Sequence, residues 1–128
     1  MKSGAETCSS VVARTSFDAV VQEQLDAYNA RDVQRLSAVY GEHVRIFRPP
    51  RIDPVLIGQA AVTRFYAAQR FTLAQLHAEL LHRIVLGSVI IDHRRIFGVT
   101  ENPFEVVGAY EVRDAQIQSV WFFTGNVT

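Results

Sequence analysis

The chain has 128 residues, 48% of them hydrophobic, and its 13 basic and 13 acidic side chains cancel to a formal net charge of zero. That content excludes a disordered chain, and the charge balance gives no broad attraction to nucleic acid or an acidic membrane, so a small neutral partner is expected. No apolar run approaches the roughly 18 residues of a membrane span, and the single cysteine, Cys8, leaves no disulfide framework and no paired metal thiolates.

Residues 1–16 are small and polar apart from Val11 and Val12, lack the long apolar segment of a signal peptide, and read as a flexible tail before one domain at 17–128. A cytoplasmic setting is the expectation that follows. Phe17, Val20, Val21, Leu25 and Tyr28 recur at helical spacing and predict a helix to Ala30, with Ser16 as its N-cap. Asp32 caps a second, shorter helix through Val33, Leu36, Val39 and Tyr40, which Gly41 is placed to end. Glu42 to Phe47 predicts a short strand. Three prolines then make Arg48 to Pro54 a loop, and Gly58 to Arg70 returns to helical spacing.

The remainder reads as strand. His77 to Leu86 and Val89 to Phe97 are separated only by Gly87-Ser88, the signal for a two-residue type II′ hairpin. That turn pairs Leu86 with Val89, Val85 with Ile90, Ile84 with Ile91, Arg83 with Asp92 and His82 with His93. Strands over about Phe104 to Arg113 and Gln116 to Thr124 follow, joined at Asp114-Ala115. The order ααβαββββ implies an α+β domain whose helices cover one face of a curved antiparallel sheet. Leu81, Val85 and Ile90 make the second face apolar too, so a homodimer through the outer sheet face is expected.

Because side chains alternate, His82 and His93 share one face and Arg83 and Asp92 the other. We assign the histidine pair, with Leu80, Ile84, Leu86, Val89, Ile91 and Phe97, to the face beneath the helices. Imidazoles with an ordinary pKa of about 6.5 could serve there as general acid and base. They could equally close the pocket floor by a hydrogen bond between themselves. Arg83 and Asp92 read as a cross-strand pair that pins register on the outer face. Arg48, at the end of the first strand, would hold a carboxylate, enolate or phenolate, or else pair with Asp53 on the surface. No third metal ligand joins the histidines, so neither a metal nor a cofactor is expected.

Val20-Val21-Gln22, Ala27 to Asp32, Tyr40, Ile57-Gly58 and Phe65-Tyr66 together resemble the SnoaL-like proteins. These belong to a cone-shaped α+β superfamily with nuclear transport factor two, scytalone dehydratase and ketosteroid isomerase. The resemblance covers about residues 17–124. It implies a cystatin-like α+β roll, helices on the concave face of a curved sheet, and a pocket for a small hydrophobic or aromatic molecule. Ketosteroid isomerase uses an aspartate base and an oxyanion hole of tyrosine and protonated aspartic acid. Here the matching positions hold Arg48, Gln24 and Ala109, so that mechanism is not expected. Tyr66 matches an auxiliary pocket tyrosine and Phe97 an aromatic wall, while Phe122 faces inward with Val120.

The expected catalytic set is therefore His82, His93, Arg48 and Tyr66, with Gln24, Tyr28, Phe47, Phe97, Ala109 and Phe122 lining the pocket. One imidazole would remove a proton next to a carbonyl while Arg48 or Tyr66 stabilises the enolate. Such a protein would be a cofactor-free isomerase, cyclase or dehydratase. The rival reading is a non-catalytic ligand-binding or dimerisation module; a hydrolase would need an acidic pocket residue that the sequence does not supply.

Overall fold

The computed structural model describes residues 16–125, so the predicted tail before Ser16 lies outside the described residues. Helices α1 (Phe17–Ala30) and α2 (Val33–Val39) lead into β1 (Tyr40–Phe47); a two-residue strand β2 (Leu56–Ile57) precedes α3 (Gln59–Gln69). Strands β3 (His77–Leu86), β4 (Val89–Phe97), β5 (Phe104–Arg113) and β6 (Gln116–Thr124) complete the chain. All lie in one six-stranded sheet of order β2-β1-β6-β5-β4-β3. Neighbours are antiparallel except β1 and β6, which run parallel. The expected α+β architecture is present, and no described helix is long and apolar enough to cross a membrane.

Local chemistry sets the element ends. Asp32 accepts a hydrogen bond from the Arg35 amide at 3.1 Å, as its capping role requires. Ser16 occupies the N-cap of α1, but its side chain makes no capping bond. Gly41 does not end α2: Tyr40 is already extended (φ −98°, ψ 139°), so helix passes directly into strand. Gly87 has φ 57° and Ser88 does not share it, as a type II′ turn demands. The predicted β3–β4 register is present from Leu86–Val89 to His82–His93, then shifts between Leu80 and His82.

The core lies between the helices and one sheet face. Val21, Leu36, Val44, Val62, Ile90, Ile117 and Val120 are all fully buried there, each contributing about 1.5–3 kcal/mol by removal from water. Two polar ties seat α1 on the sheet. The Asn29 amide donates to the Ala78 carbonyl at 2.9 Å and accepts from the Ala78 amide at 2.8 Å. Arg31, in the left-handed region at φ 53°, donates to the carbonyls of Leu73, Ala74 and Leu76. Together they hold Tyr28 over the sheet, one helical turn before Asp32.

Candidate functional site

Alternation decides which side chains meet the helices, and on β4 it selects Ile90, Asp92, Arg94 and Ile96, all buried. The expected faces are thus exchanged. His82 and His93 stand on the outer face, whereas Asp92 is completely buried beneath α1. The same rule turns Phe47, Phe97 and Ala109 away from the helices. Phe47 stacks on Trp121 at a centroid distance of 5.3 Å, Phe97 lies beside His77 at 6.2 Å, and Ala109 pairs with Ile91 and Trp121. The inward residues at those places are Arg48, Ile96, Gly108 and Tyr110.

These inward residues and two helices enclose a cavity of about 320 Å³. Gln24 and Tyr28 reach it from α1; Phe65, Tyr66 and Arg70 come from α3, where Tyr66 and Arg70 share a face by their four-residue spacing. Arg48 continues the inward set Val44 and Ile46 beyond β1, and Phe122 faces in from β6 as expected. Gln24, Tyr28, Arg48, Tyr66 and Phe122 are the sequence-expected residues that the structure brings together. Phe65 lines the cavity as well, and so do Arg70, Arg94 and Tyr110, which had not been singled out for it.

Gly108 makes part of this space. A Cβ there would lie 2.9 Å from Tyr110 Cε1 and 3.1 Å from Phe122 Cε1. The aromatic wall is organised edge to face: Tyr28 against Tyr66 at 6.0 Å, Phe65 against Tyr66 at 5.4 Å and Tyr110 against Phe122 at 6.0 Å. Three guanidinium groups lie on three of these rings. Arg48 is 5.3 Å from the Phe122 centroid, Arg70 is 5.0 Å from Phe65 and Arg94 is 5.3 Å from Tyr110.

Behind the cavity floor runs a buried polar network. The Asp92 carboxylate accepts from Arg83 Nε at 2.6 Å and Nη2 at 2.9 Å, and from Arg94 Nε at 3.0 Å and Nη2 at 2.7 Å. Burial pushes the Asp92 carboxyl upward, but the Arg83 hydrogen bonds and the Arg94 charge outweigh it and hold its pKa below the usual carboxylate value. Gln24 Oε1 accepts from Arg94 Nη1 at 2.7 Å, and Gln24 Nε2 donates to the Tyr40 hydroxyl at 3.2 Å. Gln22 takes a further bond from Arg83 at 2.8 Å. The position that the isomerase fills with an oxyanion-hole tyrosine therefore holds an amide committed to anchoring Arg94.

Burial raises the pKa of Tyr28, Tyr40, Tyr66 and Tyr110, so these phenols stay protonated and act as donors at neutral pH. At Tyr66 that rise is opposed by Arg48, then by the Tyr40 hydroxyl, Arg70 and Arg94. The described residues lining the cavity include no carboxylate and no imidazole.

On the opposite face, His82 and His93 are stacked at 5.7 Å. His93 Nε2 lies 2.6 Å from Glu105 Oε1, and Arg95 bridges Glu105 at 3.3 Å and Glu79 at 3.4 Å. The hydrogen bonds from His93 and Arg95 lower the Glu105 pKa. This cluster is separated from the cavity by the sheet itself, so the imidazoles cannot reach a ligand there. Among the described residues, no three His, Cys, Asp or Glu side chains assemble as a metal site.

A family model described as a SnoaL-like domain matches residues 21–120. The chain belongs to this family. No match to the sequence is found among curated proteins. Solved structures similar to this SnoaL-like protein include a proposed ketosteroid isomerase from Kribbella flavida, at 19% identity and TM-score 0.75, covering 88% of this chain and 79% of that one. A cystatin-fold protein from Novosphingobium aromaticivorans aligns at 22% identity and TM-score 0.76, over 85% and 98% of the two chains. An LEH-like epoxide hydrolase from M. tuberculosis aligns at 15% identity and TM-score 0.68, over 83% and 80% of the two chains. At these identities the likeness is one of fold.

Proposed function

We propose that this SnoaL-like protein binds a small, largely apolar or aromatic molecule in the cavity and holds an oxygen of that molecule with phenol and guanidinium donors. One observation carries the reading: an aromatic wall encloses Tyr66, Arg48, Arg70 and Arg94, with no general base among the described lining residues. Asp92, behind the floor, already accepts four N–H bonds and is fully buried. The chemistry on offer is polarisation of an oxygen rather than removal of a proton.

A catalytic version of this reading is cofactor-free isomerisation, cyclisation or dehydration next to a carbonyl. It is supported by the presence of Arg48 and Tyr66 in one cavity lining, a guanidinium and a phenol that together suit an enolate oxygen. Binding is put first because the expected histidine bases lie across the sheet. The test is thermal unfolding and calorimetric titration with a set of aromatic ketones, phenols and acids. We expect a raised unfolding temperature, about 2.7 kcal/mol of stabilisation at a hundredfold excess over Kd, and weaker binding by Tyr66→Phe. Failure of every compound to bind would leave a dimerisation module as the better reading.

The outer face supports a partner proposal of its own, a second copy of this chain. Phe47, Trp121, Ala109, Ile91 and Ile84 pair in turn across β1, β6, β5, β4 and β3 as one apolar row. Exposed Leu86 and Phe123 extend it. The rim carries charges of both signs, Arg95 with Glu79 and Glu105, so the face can meet its own copy without opposing like charges. Sedimentation should find a dimer that Ile84→Glu dissociates; a monomer at all concentrations would end this proposal.

A further inference from the structure

Arg48 and Arg70 stand apart from the other arginines that the structure describes near the cavity. Arg94 donates from Nε and Nη2 to Asp92 and from Nη1 to Gln24, so each of its nitrogens is already engaged, and it has a carboxylate partner that it shares with Arg83. Arg48 lies at the exposed rim, and Arg70 is partly exposed on the α3 side. Among the described residues, no carboxylate forms an ion pair with either one. The bond recorded for Arg70 is from Nη1 to the neighbouring Gln69 carbonyl at 3.1 Å.

Both guanidiniums are nevertheless held in place. Each lies over an aromatic ring of the cavity wall, Phe122 for Arg48 and Phe65 for Arg70. A cation–π contact engages a guanidinium without using its N–H groups in an ion pair, so the fork that matches a carboxylate stays available. Two side chains of one sign thus line one cavity, each against a ring of its wall, Phe122 of β6 and Phe65 of α3, with no ion-pair partner among the described residues. The protonated Tyr66 hydroxyl adds a neutral donor to the same lining, and exposed Thr124 also borders the cavity.

Resting on the binding function proposed above, we infer that the ligand is a carboxylate: an apolar or aromatic acid whose ring enters among Tyr28, Phe65 and Phe122 while its anionic group stays at the mouth between Arg48 and Arg70. This refines the expectation of a neutral partner drawn from the whole-chain charge, because a zero total conceals a local excess of positive charge at the opening. A neutral molecule of the same shape would gain the aromatic contacts but leave both guanidiniums facing water.

Matched pairs of acid and primary amide test this directly: 2-naphthoic acid with 2-naphthamide, hydrocinnamic acid with hydrocinnamamide, and cyclohexanecarboxylic acid with its amide. Calorimetry at neutral pH should give at least one acid binding about tenfold or more tightly than its amide. That preference should shrink as sodium chloride rises. Arg48→Gln and Arg70→Gln should each reduce the acid's affinity more than the amide's, and Arg48→Lys should restore part of the loss. Unliganded thermal unfolding of each variant checks that the domain is intact. Equal binding of acid and amide in every pair would overturn the carboxylate inference while leaving small-molecule binding in place. Absence of binding by any member would overturn both.

Discussion

Strand β4 presents an ion-pair cluster to each side of the sheet, one buried and one open to water. Inward, Asp92 and Arg94 join Arg83 in a network sealed by Gln22 and Gln24. Outward, His93 and Arg95 meet Glu105 and Glu79 with their side chains about a third to a half exposed. Charges removed from water depend wholly on their partners, whereas water substitutes for a lost partner at the surface. Ion pairs from one strand therefore fix the cavity floor on one side and adjust a surface on the other.

Breaking the inner cluster should have the largest effect. Asp92→Asn leaves Arg83 and Arg94 buried without their counter-charge and should cost about 3–5 kcal/mol in urea unfolding. The pH dependence has a definite sign. Because the folded pKa of Asp92 is depressed, its stabilisation is present above its unfolded value of about 3.9 and is lost as pH falls through the lower folded value. Stability of the wild type should consequently fall more steeply in that acid range than stability of the Asn variant. Parallel profiles would show that the network does not govern acid unfolding.

A smaller change falls on the cavity wall between the two clusters. Gly108→Ala places a methyl against Tyr110 and Phe122 and should cost about 1–3 kcal/mol through displaced rings, with weaker ligand binding as its second readout. The smallest effect is expected outside, where Glu105→Gln should move the urea midpoint much less than Asp92→Asn. If the two matched, the contrast between the faces would fail.

Most elements and the β3–β4 register were legible because turn chemistry and periodicity are local, although the passage of helix into strand at Tyr40 and the two-residue β2 were not. Gly87-Ser88 alone set five cross-strand pairs. The choice of face was not legible from β4, whose inward Ile90 and Ile96 are balanced by outward Val89, Ile91 and Phe97, with charged or polar groups on both sides. One slip of that choice exchanges every side chain, which is how the histidines came to be expected at the site and Asp92 outside it. Elsewhere the local pattern was sufficient: Val44, Ile46 and Arg48 alternate inward, and Tyr66 sits on the buried face of α3. Arg70 was available as the residue one helical turn beyond Tyr66. The role of Arg94 was not, because it depends on Asp92 being inside and on Gln24 arriving from another element.

The parallel pairing of β1 with β6 also bears on how the cavity comes into being. Strand β6 fills the gap between β1 and β5, although some seventy residues of chain separate it from β1. During synthesis, the helices and the β3–β4 hairpin can take shape from neighbouring residues, but Arg48 and Phe122 cannot be brought together until β6 has left the ribosome. Assembly of the pocket is thereby deferred until β6 has been made, with the unjoined edges of β1 and β5 exposed to mispairing in the interval.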